Sequence, residues 1–105
     1  MAVGSGNLAE LKTYAFEQIT ISSTALRLGA GRTTGQQPLY ALVQCETGQI
    51  RYTLDGETVP TATVGMLLDV GTAVEVWGLT DIQNFRAIRV SVDSQLNVTY
   101  AKSAV

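Results

Sequence analysis

The side chains best placed to do chemistry are carboxylates: Asp55, Glu57, Asp69, Asp81 and Asp93 recur along the second half of the chain. Two carboxylates across a cleft could run glycoside hydrolysis, and several converging oxygens could hold a hard cation. Their sequence company argues against both. Most stand in turn-forming stretches such as Asp55-Gly56 and Asp93-Ser94, where Asp caps its own backbone, and the calcium-loop spacing is missing. The chain has no histidine. That removes the usual general base, the usual transition-metal ligand and the usual pH switch together. Neither G-x-S-x-G nor S-x-x-K occurs to activate a serine. Abundant threonine has a plainer explanation, since it is a good strand former. The single cysteine, Cys45, lies in the apolar run Leu39-Tyr-Ala-Leu-Val-Gln-Cys45, the setting of a buried thiol. The loop Gly29-Ala-Gly-Arg-Thr-Thr-Gly35 starts like a phosphate cradle, but its third glycine comes one residue late and no Lys-Ser/Thr follows. No catalytic residue, cofactor or metal ligand is expected.

Charge narrows the partners. Seven basic and nine acidic residues give a net charge of −2, and the basic ones are scattered. No stripe suits nucleic acid or an anionic membrane surface. The first residues, Met-Ala-Val-Gly-Ser-Gly-Asn, have neither the basic region nor the apolar core of a signal peptide. No apolar run approaches the roughly 18 residues of a membrane span. With one cysteine, the chain is expected to fold in a reducing cytoplasm. Only 15% of residues are charged, against a typical ~25%, and charge is depleted where surfaces are buried by assembly. A homo-oligomer is therefore expected.

The elements that position these residues read as short strands. A chain of 105 residues is one domain, able to bury roughly 65% of its unfolded surface. Ile50, Tyr52 and Leu54 alternate with polar residues and run into Asp55-Gly56, a strand entering a hairpin. Upstream, Leu39–Glu46 is the most apolar strand, and Thr47-Gly48 is expected to join the two as a tight hairpin. Ile19 and Ile21 share one face of a strand over 13–21, with Phe16 on the other parity, which calls for a bulge or two covered faces. Leu26 and Leu28 suggest a short second strand. Pro60 consigns its segment to an edge or loop. Further strands follow at 64–68, at 73–77 with Val74 and Val76 inward, at 85–92 with Ile88, Val90 and Val92 on one face, and at 96–100. About eight antiparallel strands at such even spacing predict a single all-β sandwich, jelly-roll-like, over 13–101. A flexible arm over 1–12 and a short frayed tail over 102–105 complete the expectation. Leu42, Trp77 and Phe85 fall on the parity opposite the inferred core. They are the expected protein-interface residues, because exposed apolar patches mark interaction sites.

Ile50-Arg-Tyr-Thr-Leu-Asp-Gly56, then Pro60-Thr61, Gly65, Gly71, Val74-Glu-Val-Trp-Gly78 and Phe85-Arg-Ala-Ile-Arg89, resembles small virion structural proteins of tailed bacteriophages. The upstream Ile19-Thr-Ile-Ser-Ser-Thr-Ala-Leu26 is similar to their opening strand, so the likeness spans roughly residues 14–101. These motifs are turn residues and strand fillers rather than a catalytic signature. The resemblance implies a non-enzymatic part of a phage particle, made in the host bacterial cytoplasm. Its first form is a capsid decoration (cement) protein that binds the major capsid protein or other virion proteins. A neck, tail or fibre component is the second. A small carbohydrate-binding module, with Tyr40, Tyr52 and Trp77 as its aromatics, is an alternative of another class.

Overall fold

Leu96, Val98 and Tyr100 recur at every second position of the last strand, and all three are fully buried. The same alternation buries Ala41, Val43 and Cys45, and Ile50 and Tyr52. A period of two with one covered face is what builds a sheet against a core. The computed structural model describes residues 10–29, 33 and 35–104. Its elements in chain order are β1 (Leu11–Ile21), β2 (Leu26–Arg27), β3 (Tyr40–Glu46), β4 (Ile50–Thr53), β5 (Met66–Leu68), β6 (Ala73–Trp77), the short helix α1 (Leu79–Asn84), β7 (Arg86–Arg89) and β8 (Ser94–Ser103).

The strands form two four-stranded antiparallel sheets: sheet 1 in the order β1-β8-β3-β6, and sheet 2 in the order β2-β7-β4-β5. Their inner faces share one core. Ile21, Val43, Val76, Leu96 and Val98 come from sheet 1, and Ile50, Tyr52, Leu68 and Ala87 from sheet 2. Full burial of each such Val, Leu or Ile side chain is worth roughly 1.5–3 kcal/mol. Every buried side-chain nitrogen or oxygen among the described residues has a hydrogen-bond partner. Pairings are nested: β1 with β8, β2 with β7, β3 with β6, β4 with β5. The first and last strands therefore lie side by side, with Leu11 opposite Ser103.

Several sequence expectations are corrected. Thr47-Gly48 does not close a hairpin: β3 pairs with β6 and β8, whereas β4 pairs with β5 and β7. The chain changes sheet there. Thr47 takes a positive φ of 83°, and a Cβ on Gly48 would come within 2.8 Å of the Val92 side chain. The Cys45 thiol donates to the Gly48 carbonyl at 2.9 Å, and the Ser94 hydroxyl donates to the Glu46 carbonyl at 3.0 Å. These bonds hold the corner against β8. The hairpin that β4 does enter is with β5, across a long connection over 54–65. Asp55 opens that connection, its carboxylate accepting from the Glu57 and Thr58 backbone N–H groups and the Thr58 hydroxyl.

Phe85 is the largest correction. It is fully buried, not on the second face. The helix α1 intervenes before β7 and resets the phase, so Phe85 and Ala87 point inward and Ile88 outward. Phe85 stacks on Tyr52, and Tyr52 is the cross-strand partner of Ala87. A small residue at position 87 leaves room for the ring stack. β7 ends at Arg89, and Val92 is 56% exposed. At the termini, β1 begins at Leu11 and β8 continues to Ser103, so neither 11–12 nor 102–103 is loose; residues 1–9 of the expected arm lie outside the described ones. β1 carries its bulge at Tyr14, upstream of Phe16, which leaves Phe16 on the outer face.

Candidate interaction face

The outer face of sheet 1 is built from four cross-strand rows. Tyr40 pairs with Trp77. Phe16, Thr99, Leu42 and Glu75 form the next row, then Gln18, Asn97, Gln44 and Ala73, then Thr20, Gln95 and Glu46. Phe16, Leu42 and Trp77 are 56%, 36% and 57% exposed. Directly opposed residues on an antiparallel sheet have Cβ atoms about 5 Å apart, so these side chains form one surface. Leu42 and Trp77 thus sit where the parity of their strands puts them. Phe85 belongs to the core. Phe16 and Tyr40 join the face; the parity of Phe16 against Ile19 and Ile21 was the signal for the first, and the parity that Tyr40 shares with Leu42 was the signal for the second.

Polar bonds fix the geometry between the apolar members. The Tyr40 hydroxyl donates to Glu75 Oε2 at 2.8 Å, and the Tyr40 and Trp77 rings meet edge to face with centroids 4.7 Å apart. Burial, then the hydrogen bond and charge of Glu75, push the Tyr40 phenol above its ordinary pKa. In the amide row, Gln18 Nε2 donates to Asn97 Oδ1 at 2.8 Å, and Asn97 Nδ2 donates to Gln44 Oε1 at 3.1 Å. Phe16, Leu42, Gln44, Ala73, Asn97 and Thr99 line a shallow hollow of about 240 Å³.

A second concavity of about 370 Å³ lies under the β4–β5 connection, lined by Tyr52, Leu54, Thr58, Val64 and Met66 among others. Of its lining, Val64 and Met66 are exposed, as is Val59 in the same connection. Of the aromatics considered for sugar binding, Tyr40 and Trp77 lie together on sheet 1, while Tyr52 is stacked in the core.

The carboxylates are dispersed: no three of the His, Cys, Asp and Glu side chains gather into a metal-binding group among the described residues. Burial raises the pKa of the Cys45 thiol, and the thiol is fully enclosed. Ala30, Gly31, Arg32 and Thr34 of the glycine-containing loop lie outside the described residues. No helix among the described residues is long and apolar enough to cross a membrane. No protein-family model, curated protein or solved structure matches the chain.

Proposed function

We propose that this chain is a non-enzymatic structural part of a tailed-phage particle, foremost a decoration protein on the head. The observation that carries the reading is the apolar outer face of sheet 1, where Phe16, Leu42 and Trp77 stand exposed on a hydrogen-bonded sheet. A rigid apolar face loses little side-chain and loop entropy on docking. The exposed Val64 and Met66 beside the β4–β5 connection supply a second, separate contact surface. Two surfaces on one small domain suit a part that bridges neighbours and gains strength by repetition. The nested pairing of β1 with β8, β2 with β7, β3 with β6 and β4 with β5 supports a jelly-roll reading of the sandwich, an architecture shared by many capsid modules.

Counting copies of the chain in purified particles tests this. Hundreds of copies per particle are expected of a head decoration. A dozen or fewer place the chain at the neck or tail, and its absence from particles removes the virion reading.

One arrangement favours a second reading, a carbohydrate-binding module. The Tyr40–Trp77 pair lies beside the amide row Gln18, Asn97 and Gln44, giving an aromatic platform flanked by hydrogen-bonding side chains. A glycan array addresses it: retained glycans lost in Trp77→Ser support this reading, and an empty array removes it.

A further inference from the structure

We propose that copies of this chain associate head to tail, the outer face of sheet 1 on one copy seated against the outer face of sheet 2 on the next. This rests on the structural role argued above and names the first partner of the sheet 1 face.

The outer face of sheet 2 is basic. Arg27 pairs with Arg86 across β2 and β7, and Arg86 pairs with Thr53. The adjacent row is Ile88, Arg51 and Leu67. Two guanidiniums directly opposed on a strand pair repel each other. The nearby groups do not neutralise them. Arg27 Nη1 donates to the Gln83 carbonyl, and Arg51 donates to the Ala62 and Gly65 carbonyls, all uncharged acceptors. The Arg86 guanidinium has no hydrogen-bond or ion-pair partner among the described residues, its backbone alone being paired in the sheet. The one ion pair among them, Arg89 with Asp93, lies at the end of β7.

The outer face of sheet 1 has the opposite sign. Its charged residues are Glu46 and Glu75, both exposed. Their hydrogen-bond partners are again neutral: Tyr40 donates to Glu75, and Asn97 donates to Glu46. Each face also carries apolar side chains, Phe16, Leu42 and Trp77 on one and Ile88 and Leu67 on the other. The signs then select the mode of contact. Sheet 1 against sheet 1 sets carboxylate on carboxylate, and sheet 2 against sheet 2 sets guanidinium on guanidinium. Sheet 1 against sheet 2 lets Arg meet carboxylate with the bidentate geometry it favours. Such a contact is heterologous, so it closes into a ring or extends as a row, and a terminal copy keeps one face free.

Sedimentation velocity on the isolated protein at low salt tests the contact. The wild type should run above the monomer and fall toward it as salt screens the faces. Glu75→Arg and Arg86→Glu should each be monomeric with an unchanged β spectrum. Mixed one to one, they should associate again, because each variant supplies the charge that the other's altered face now needs. Glu75→Gln and Arg86→Gln, which add no new charge, should weaken association if the reversals disturb folding. A wild type that stays monomeric at every concentration, or an Arg86→Glu protein that associates like wild type, overturns the proposal. So does a mixture that stays monomeric. Association strengthened by salt points to an apolar, same-face contact instead and also overturns it. The readout needs no phage, so its failure leaves the particle reading standing, and absence from particles leaves this contact standing.

Discussion

Tyr52 and Phe85 stack in the core with ring centroids 5.2 Å apart and planes 16° apart, whereas Tyr40 and Trp77 meet edge to face at 4.7 Å and 63° on an open surface. Each pair joins a tyrosine to a larger or equal ring, and each spans neighbouring elements of one sandwich. Their surroundings separate their roles. The inner pair fills space between the sheets, where packing density makes each ring costly to remove. The outer pair is tied to Glu75 and leaves Trp77 free to meet something else. Similar chemistry on opposite sides of the strands thus serves stability in one place and contact in the other.

The sharpest way to break that comparison is truncation. Phe85→Ala should cost about 3–5 kcal/mol and lower the melting temperature by about 10 °C or more. Trp77→Ser should cost no more than about 1 kcal/mol, most of it the edge-to-face contact. Thermal melts of the two variants give the contrast directly; equal losses would show that Trp77 is a core residue in solution. The same Trp77→Ser protein should keep its β spectrum and lose copies from particles. Incorporation at the wild-type copy number would remove sheet 1 from the docking surface.

A smaller effect separates the two tyrosines by cause. Both phenols have raised pKa values, Tyr52 through burial alone and Tyr40 through burial followed by Glu75. Glu75→Gln should lower the Tyr40 value and leave that of Tyr52 in place, read by ultraviolet titration with Tyr40→Phe as the assignment control. The sign for stability follows. An acid whose pKa is raised by folding contributes stability that is fully present below its unfolded pKa and lost as pH rises through the folded value. Cys45 shares that direction, so the melting temperature should decline from about pH 8.5 upward. The smallest effect is at the acid end. The Thr58 hydroxyl, then backbone N–H groups, hold the Asp55 carboxyl below its ordinary pKa, so its contribution is present above about pH 4 and fades as pH falls through the lower folded value. Asp55→Asn should flatten that limb of the melting curve and leave the alkaline limb unchanged.

The two aromatic pairs also mark what could be read from the sequence. Trp77 was legible because β6 alternates without interruption from Ala73, so the parity of Val76 assigns its neighbour. The same holds for Leu42 between Ala41 and Val43. Phe85 was not legible. Six helical residues precede it, with Ile82 the one buried among them, too short a stretch to show a helical period. Ile88, Val90 and Val92 then imitate a buried face, although the tertiary packing of Tyr52 requires Ala87 there. The corner at Thr47-Gly48 failed for a related reason. A turn residue followed by glycine looks alike whether the chain folds back on the same sheet or crosses to the other. Only the pairing of β3 with the distant β8 distinguishes them, and that pairing is nonlocal.

The side-by-side placement of β1 and β8 has a consequence for rewiring the molecule. Leu11 faces Ser103, and the Ala104 N–H reaches the Glu10 carbonyl at 3.4 Å. A few added residues can therefore span from Ser103 to Leu11 and close the described chain into a covalent circle. Loop-closure entropy grows only slowly with length, so such a circle can be reopened elsewhere without disturbing the strand pairs. The connection over 54–65 is the natural place to cut, since Ala62 and Thr63 at its tip are exposed. A permutant opened there keeps both sheets and moves the point from which a fused peptide leaves, from the β1–β8 edge of sheet 1 to the β5 edge of sheet 2.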